Sequence, residues 1–117
     1  QVRPGMAVFR EETFGPVAAV VRARDDDHAV ELANDTDYGL GAAVWGEPDR
    51  ALEVGRRIRS GALFVNAVVA SDPRLPFGGV GRSGYGRELS VEGTREFTNV
   101  RTVYVGDATA ALPTVTE

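Results

Sequence analysis

There is no cysteine among the 117 residues. That absence removes disulfides, thiolate metal sites and a thiol nucleophile from this polypeptide together. Histidine and tryptophan occur once each, as His28 and Trp45, and one imidazole among scattered carboxylates has no metal-ligand spacing. His28, beside three aspartates near a helix start, reads as solvated or locally bonded, and Trp45 as a core or interface anchor. No stretch approaches the roughly 18 consecutive apolar residues of a spanning helix. Gln1–Phe9 lacks a charged start followed by an apolar run, so neither a membrane span nor a signal peptide is expected, and the expected location is cytoplasmic. Positive charge is also short, with 13 Lys and Arg against 17 Asp and Glu. The arginines are interleaved with acids at Arg22–Asp27 and Asp49–Arg57, which leaves no extended positive field for nucleic acid.

What remains is ordinary for a soluble globular chain, 43% hydrophobic and 26% charged. At this length one domain is expected, burying about two thirds of the surface its unfolded form exposes around a modest core. PVAAVVRA, Pro16–Ala23, is a valine-rich run without alternation and predicts a buried strand. Next comes a short helix starting at Asp25 or Asp26 and ending near Asn34, with Ala29, Leu32 and Ala33 as its stripe. Leu40–Gly46 predicts a second strand. An amphipathic helix follows, with Pro48 in its first turn and Gly61 beyond its end. Ala62–Val69 predicts a third strand, residues 71–86 a long loop, Glu88–Thr98 a short helix weakened by Gly93, and Asn99–Gly106 an alternating strand. Strand–helix–strand order predicts an α/β layer, mostly parallel, with crossover helices. No glycine-rich loop joins the first strand to the next helix, so a complete dinucleotide-binding fold is not encoded.

PFGGVGRSGYGRELS, Pro76–Ser90, is the conspicuous stretch, with five glycines beside two aromatics and two arginines. Such density belongs where a backbone turns left-handed or approaches something closely. Together with EETFGPVAAV, ELANDTDYGLGAAVW, SGALFVN and EFTNVRTV, in that order and spacing, it resembles the C-terminal part of the NAD(P)-dependent aldehyde dehydrogenase family, from about Pro4 to Val105. Within the family the likeness is nearest to bacterial succinate-semialdehyde enzymes.

The resemblance implies that residues 1–98 form the last, incomplete portion of a catalytic domain, 99–106 an oligomerisation strand and 107–117 a tail. It implies a much longer protein in which a cysteine attacks the aldehyde, a thiohemiacetal passes hydride to NAD or NADP, and a carboxylate base helps water hydrolyse the thioester. None of the matching positions for nucleophile, base or oxyanion donor lies in this sequence, so no catalytic residue is assigned and the 117 residues alone are expected to be inactive. The partners implied are an aldehyde substrate and further subunits, as a homodimer or homotetramer. The competing readings are an aldehyde dehydrogenase of other aldehyde specificity and a non-catalytic oligomerisation module, for which NVRTVYV is the best feature.

Residue by residue, Glu12 matches the second glutamate of EE-x-FGP and resembles the acceptor for the nicotinamide ribose hydroxyls. Two oxygens suit two adjacent donors. Phe14 resembles the aromatic beside the nicotinamide, with core packing as its alternative, and Gly15 and Pro16 look like the turn that sets both. Phe77 resembles the aromatic wall of the aldehyde tunnel, the alternative being a plug on the core. Ser71, six residues ahead of Phe77, matches by spacing the loop serine that holds the far carboxylate of succinate semialdehyde. Arg74 is expected to face solvent beside Asp72, Asn66 to tie down the loop that follows it, and Arg87 and Glu88 to join an ion-pair network. Gly81 departs from the family, many of whose members carry lysine there.

Overall fold

The computed structural model describes residues 2–107. Two strands, β1 (Gly41–Val44) and β2 (Ala62–Val65), pair in parallel, with Gly41 opposite Ala62 and Val44 opposite Val65. A parallel pair requires a crossover, and α3 (Pro48–Gly55) supplies it and packs on both strands. The helix starts where its sequence says it should. Glu47 caps it, accepting from Arg50 N at 2.9 Å and Asp49 N at 3.2 Å, and Pro48 fills a first-turn position where no amide is needed. Those two amides, Arg50 first, hold the Glu47 carboxyl below its ordinary range.

An earlier helix, α2 (Asp26–Asn34), lies against α3. Asp25 caps it through His28 N at 2.8 Å, and His28 Nδ1 accepts from Arg24 N at 3.2 Å, so the single histidine is locally bonded. Arg50 reaches Asp26 and Arg57 reaches Asp27, each at 2.7 Å. The Arg50 guanidinium holds the Asp26 carboxyl below its usual range. Asn34 closes the pair by donating to Arg57 O at 2.9 Å and accepting from Arg59 N at 2.7 Å. Val30 and Ala51, 8% and 3% exposed, are the buried hydrophobic residues between these layers.

Four sequence expectations need correction. The strand over Pro16–Ala23 does not form: no described strand lies beside it, and Val17 and Val20 are exposed. A valine run becomes a strand only when a neighbour offers a ladder. The third strand stops at Val65 rather than Val69, because Asn66 adopts φ 53° and turns the chain out of the sheet. The last helix, α4, covers only Ser90–Arg95, since Leu89 and Ser90 both hold positive φ at its start. Residues 99–106 make no ladder, with Val100, Tyr104 and Val105 each more than four fifths exposed. The expected tail falls, beyond Asp107, outside the described residues.

Nor is the modest core realised. The accessible surface is 9697 Å², against about 6,200 Å² for a compact chain of this mass. Trp45, expected in a core or interface, is 64% exposed.

Candidate functional site

Gly39, just before β1, is the point at which the glycine-rich loop is fastened. Its carbonyl accepts from Gly61 N and Val80 N, both at 3.0 Å, and its own N–H donates to Ser83 Oγ at 3.0 Å. Arg82 N adds a bond to Asp37 O at 2.8 Å, while the Arg82 guanidinium lies 5.1 Å from the centre of the Tyr38 ring. Gly61 rests directly on the Gly78 carbonyl and leaves no room for a Cβ. Gly81 has φ 60° and a Cβ there would meet the Asp37 carbonyl, so glycine suits this turn.

The loop's other side is closed on itself. Phe77 and Glu88 exchange both backbone hydrogen bonds at 2.8 Å. Arg87, half-buried, donates through one terminal nitrogen to Gly79 O at 3.0 Å and Gly86 O at 2.6 Å. Arg87 is thus a clamp on backbone carbonyls and makes no ion pair among the described residues, and Glu88 contributes its backbone. Low sequence complexity in this stretch hid that role, because carbonyl acceptors are present at every residue.

Glu12 is positioned by a separate tether. The short helix α1 (Ala7–Arg10) ends in Arg10, whose guanidinium forks onto the Asp35 carboxylate at 2.6 and 2.8 Å and reaches the Asp35 carbonyl at 3.2 Å. That fork brings the chain before Glu12 to the end of α2.

Two open grooves flank these fastenings. The larger, about 680 Å³, is lined by Arg10, Glu12, Tyr38, Arg59 and Arg82 among others. The smaller, about 380 Å³, is lined by Phe77, Gly79, Tyr85, Arg87 and Phe97 among others. Leu40 and Ser83 line both. Of the residues singled out from sequence, Glu12 lies in the larger groove and Phe77, half-buried, in the smaller. Phe14 is 88% exposed, and Ser71 is exposed; neither lines either groove. The four are therefore not gathered into one pocket by the described residues.

Arg74 meets Asp72 side-on, Nε at 2.9 Å and a terminal nitrogen at 2.6 Å, and stays exposed to solvent as expected. Its guanidinium, then its own amide, hold the Asp72 carboxyl below the usual range. Asn66 behaves differently from expectation. Instead of bonding within the following loop, its side chain pairs with the Gly46 backbone, accepting from N at 2.8 Å and donating to O at 2.9 Å. Asn34 was not singled out from sequence at all. An asparagine at a helix end, where its amide can serve orphan backbone groups, is the signal that marks such a role.

Comparison with known proteins completes the description. The aldehyde dehydrogenase family model matches residues 1–103. The NAD(P)+ succinate semialdehyde dehydrogenase Sad of Escherichia coli strain K12 is 49% identical over 104 residues, covering 88% of this chain and 22% of that protein. Among solved structures, succinic semialdehyde dehydrogenase from Streptococcus pyogenes, in complex with NADP+, superposes with a TM-score of 0.85 at 36% identity, over 91% of this chain and 24% of that one. A salicylaldehyde dehydrogenase from Pseudomonas putida G7, complexed with salicylaldehyde, gives a TM-score of 0.89 at 34% identity, over 96% of this chain and 24% of that one. The chain thus spans a little over a fifth of the relatives it matches. With the family model matching from residue 1 to residue 103, this chain belongs to the aldehyde dehydrogenase family.

Proposed function

We propose that these residues are the C-terminal portion of the catalytic domain of an NAD(P)+-dependent aldehyde dehydrogenase, supplying walls and acceptors to a reaction whose nucleophile and base lie elsewhere in a longer protein. The observation that carries the reading is the fastening of the Phe77 loop to Gly39, beside the groove that holds Glu12. Two grooves that share Leu40 and Ser83 suit two reactants that must meet.

The residues present fit a nicotinamide nucleotide. Glu12 is exposed and makes no hydrogen bond or ion pair among the described residues, so both its oxygens are open to a ribose diol. Phe14, two residues on, presents an uncovered ring after the turn at Gly15, φ 91°. When bound, the nucleotide supplies the hydride acceptor. Phe77, held on both sides by backbone bonds to Glu88, offers an apolar wall that keeps water from the reacting end of an aldehyde.

For the substrate we favour succinate semialdehyde. Two of the relatives above are named for it, and Ser71 carries an exposed hydroxyl with no partner among the described residues. A hydroxyl donates to a carboxylate weakly by itself, so a second donor from the longer protein belongs to this reading. In the complete protein, aldehyde-dependent formation of reduced nicotinamide is the test of the activity, and its absence with every aldehyde sinks the reading. Ser71→Ala is expected to raise the KM for succinate semialdehyde about five-fold or more while changing that for an uncharged aldehyde of similar length much less. Equal effects remove the carboxylate role.

Residues 99–106 we read as a strand that adds to a sheet of a neighbouring subunit. Its support is an apolar segment, Val100, Val103, Tyr104 and Val105, left exposed and without a ladder. Truncation of the complete protein after Thr98 is expected to lower its mass in light scattering to that of a smaller assembly; an unchanged mass refutes the assignment.

A further inference from the structure

The stretch between β2 and the glycine-rich loop, which carries Ser71, follows no helical or strand period, yet it is fastened at three places. Asn66 is the first. Its N–H donates to Val44 O at 2.9 Å, and its side-chain amide then pairs in both directions with Gly46, so the parallel ladder runs one step past the last strand residue through a side chain instead of a backbone. The same residue takes φ 53°, which asparagine tolerates and a β-branched residue does not. The chain therefore leaves the sheet at a set point and in a set direction. Val69 is the second fastening: it sits over Gly41, at the opposite end of β1, where a Cβ would lie only 2.7 Å from Val69 Cγ1. The third is Pro73, whose carbonyl accepts from Ser90 N at 3.1 Å. Ser71 lies between the second and third.

We infer that Asn66 and Gly41 are positioning residues for substrate selection: Asn66 sets the exit of the loop, Gly41 gives Val69 its seat, and together they fix where the Ser71 hydroxyl stands. Neither need touch the substrate. The inference rests on the reading of Ser71 as the carboxylate donor given above, and adds to it the residues that place that donor. An exposed serine on a free loop would hold many positions and favour no carboxylate; a serine spaced between two anchors holds few.

The test uses the complete protein and two substrates, succinate semialdehyde and an uncharged aldehyde of similar length. Asn66→Gly keeps the positive φ and loses both side-chain bonds, while Asn66→Asp keeps the acceptor for Gly46 N and loses the donor. Gly41→Ala disturbs the Val69 seat without touching Asn66. The ratio of kcat/KM for the two substrates is expected to fall about five- to ten-fold in Asn66→Gly and Gly41→Ala, with Asn66→Asp between them and the wild type. Amide hydrogen exchange, read without substrate or nucleotide, should quicken at Gly46 in Asn66→Gly but not in Asn66→Asp, which keeps the acceptor, and through residues 67–76 in all three. A ratio that stays at the wild-type value, or losses that are equal for both substrates, overturns the inference while leaving the Ser71 reading in place. A wild-type protein that treats the two aldehydes alike overturns the Ser71 reading, and the inference falls with it.

Discussion

Gly61→Ala is expected to destabilise the protein by about 3 kcal/mol, toward the upper end of what overpacking costs, and to cut aldehyde turnover about ten-fold or more. The position shows why. A Cβ on Gly61 would sit on the Gly78 carbonyl, with Gly79 Cα beside it, and both are backbone. No rotamer change can relieve that contact, so either β2 or the loop must move. The loop is the weaker of the two, yet moving it strains the bonds from Val80 N to Gly39 O and from Gly39 N to Ser83 Oγ, and it shifts Phe77 within the smaller groove. Gly46→Ala is the matched control. Its Cβ would meet nothing nearer than Ala51 Cβ at 4.0 Å, so its effect should stay within about 0.5 kcal/mol. Thermal unfolding of the two variants in the complete protein decides the matter: if Gly61→Ala unfolds with the control, the close approach of loop and strand is not a feature of the folded protein.

Glu12→Gln is expected to lower kcat/KM for NAD(P)+ by roughly ten- to thirty-fold and to leave thermal stability unchanged. Both halves follow from the same observation. Glu12 is exposed and has no hydrogen-bond or ion-pair partner among the described residues, so the fold gains nothing from its charge. A ribose diol does gain from it, because bonds to a charged acceptor are roughly twice as strong as neutral ones, and glutamine keeps only one acceptor oxygen. Glu11 lines the same groove and provides the comparison, Glu11→Gln being expected to change nucleotide use no more than about two-fold. Equal losses in the two variants would point to the general negative charge of the groove rather than to a placed acceptor.

Local features were legible wherever neighbours in sequence decide them. A cap of α2 at Asp25 or Asp26, Pro48 in the first turn of α3 and the two parallel strands on either side of it follow from capping chemistry and apolar periodicity. Misreadings fell where a partner distant in sequence, or absent from the chain, decides the outcome. Pro16–Ala23 has strand composition but no strand beside it among the described residues, and its valines stay in solvent. Asn66 looked like a residue bonded within the loop that follows it, although its side chain is bonded to Gly46, 20 residues earlier. Arg87 looked like half of an ion pair, although backbone carbonyls take it.

The thin core is the same lesson at larger scale. Val30 and Ala51 are the buried hydrophobic residues among the described ones, while Phe14, Tyr85, Phe97 and Tyr104 are largely exposed. Hydrophobic patterning says which residues seek burial; it does not say what covers them.

The sequence by itself determined the order of α2, β1, α3 and β2 and the family, through several motifs whose spacing no single glycine pattern could imitate. It also determined, by lacking cysteine, that these 117 residues carry no thiol nucleophile. Only the tertiary structure decided that Gly39 is the hub of the glycine-rich loop, that Asn66 carries the ladder past β2, and that Glu12 and Phe77 stand in adjoining grooves rather than one pocket. The physical reason is that caps and periodicity act over a few residues along the chain, whereas hydrogen bonds such as Gly39 to Ser83, 44 residues apart, exist only once distant segments have been brought within 3.0 Å.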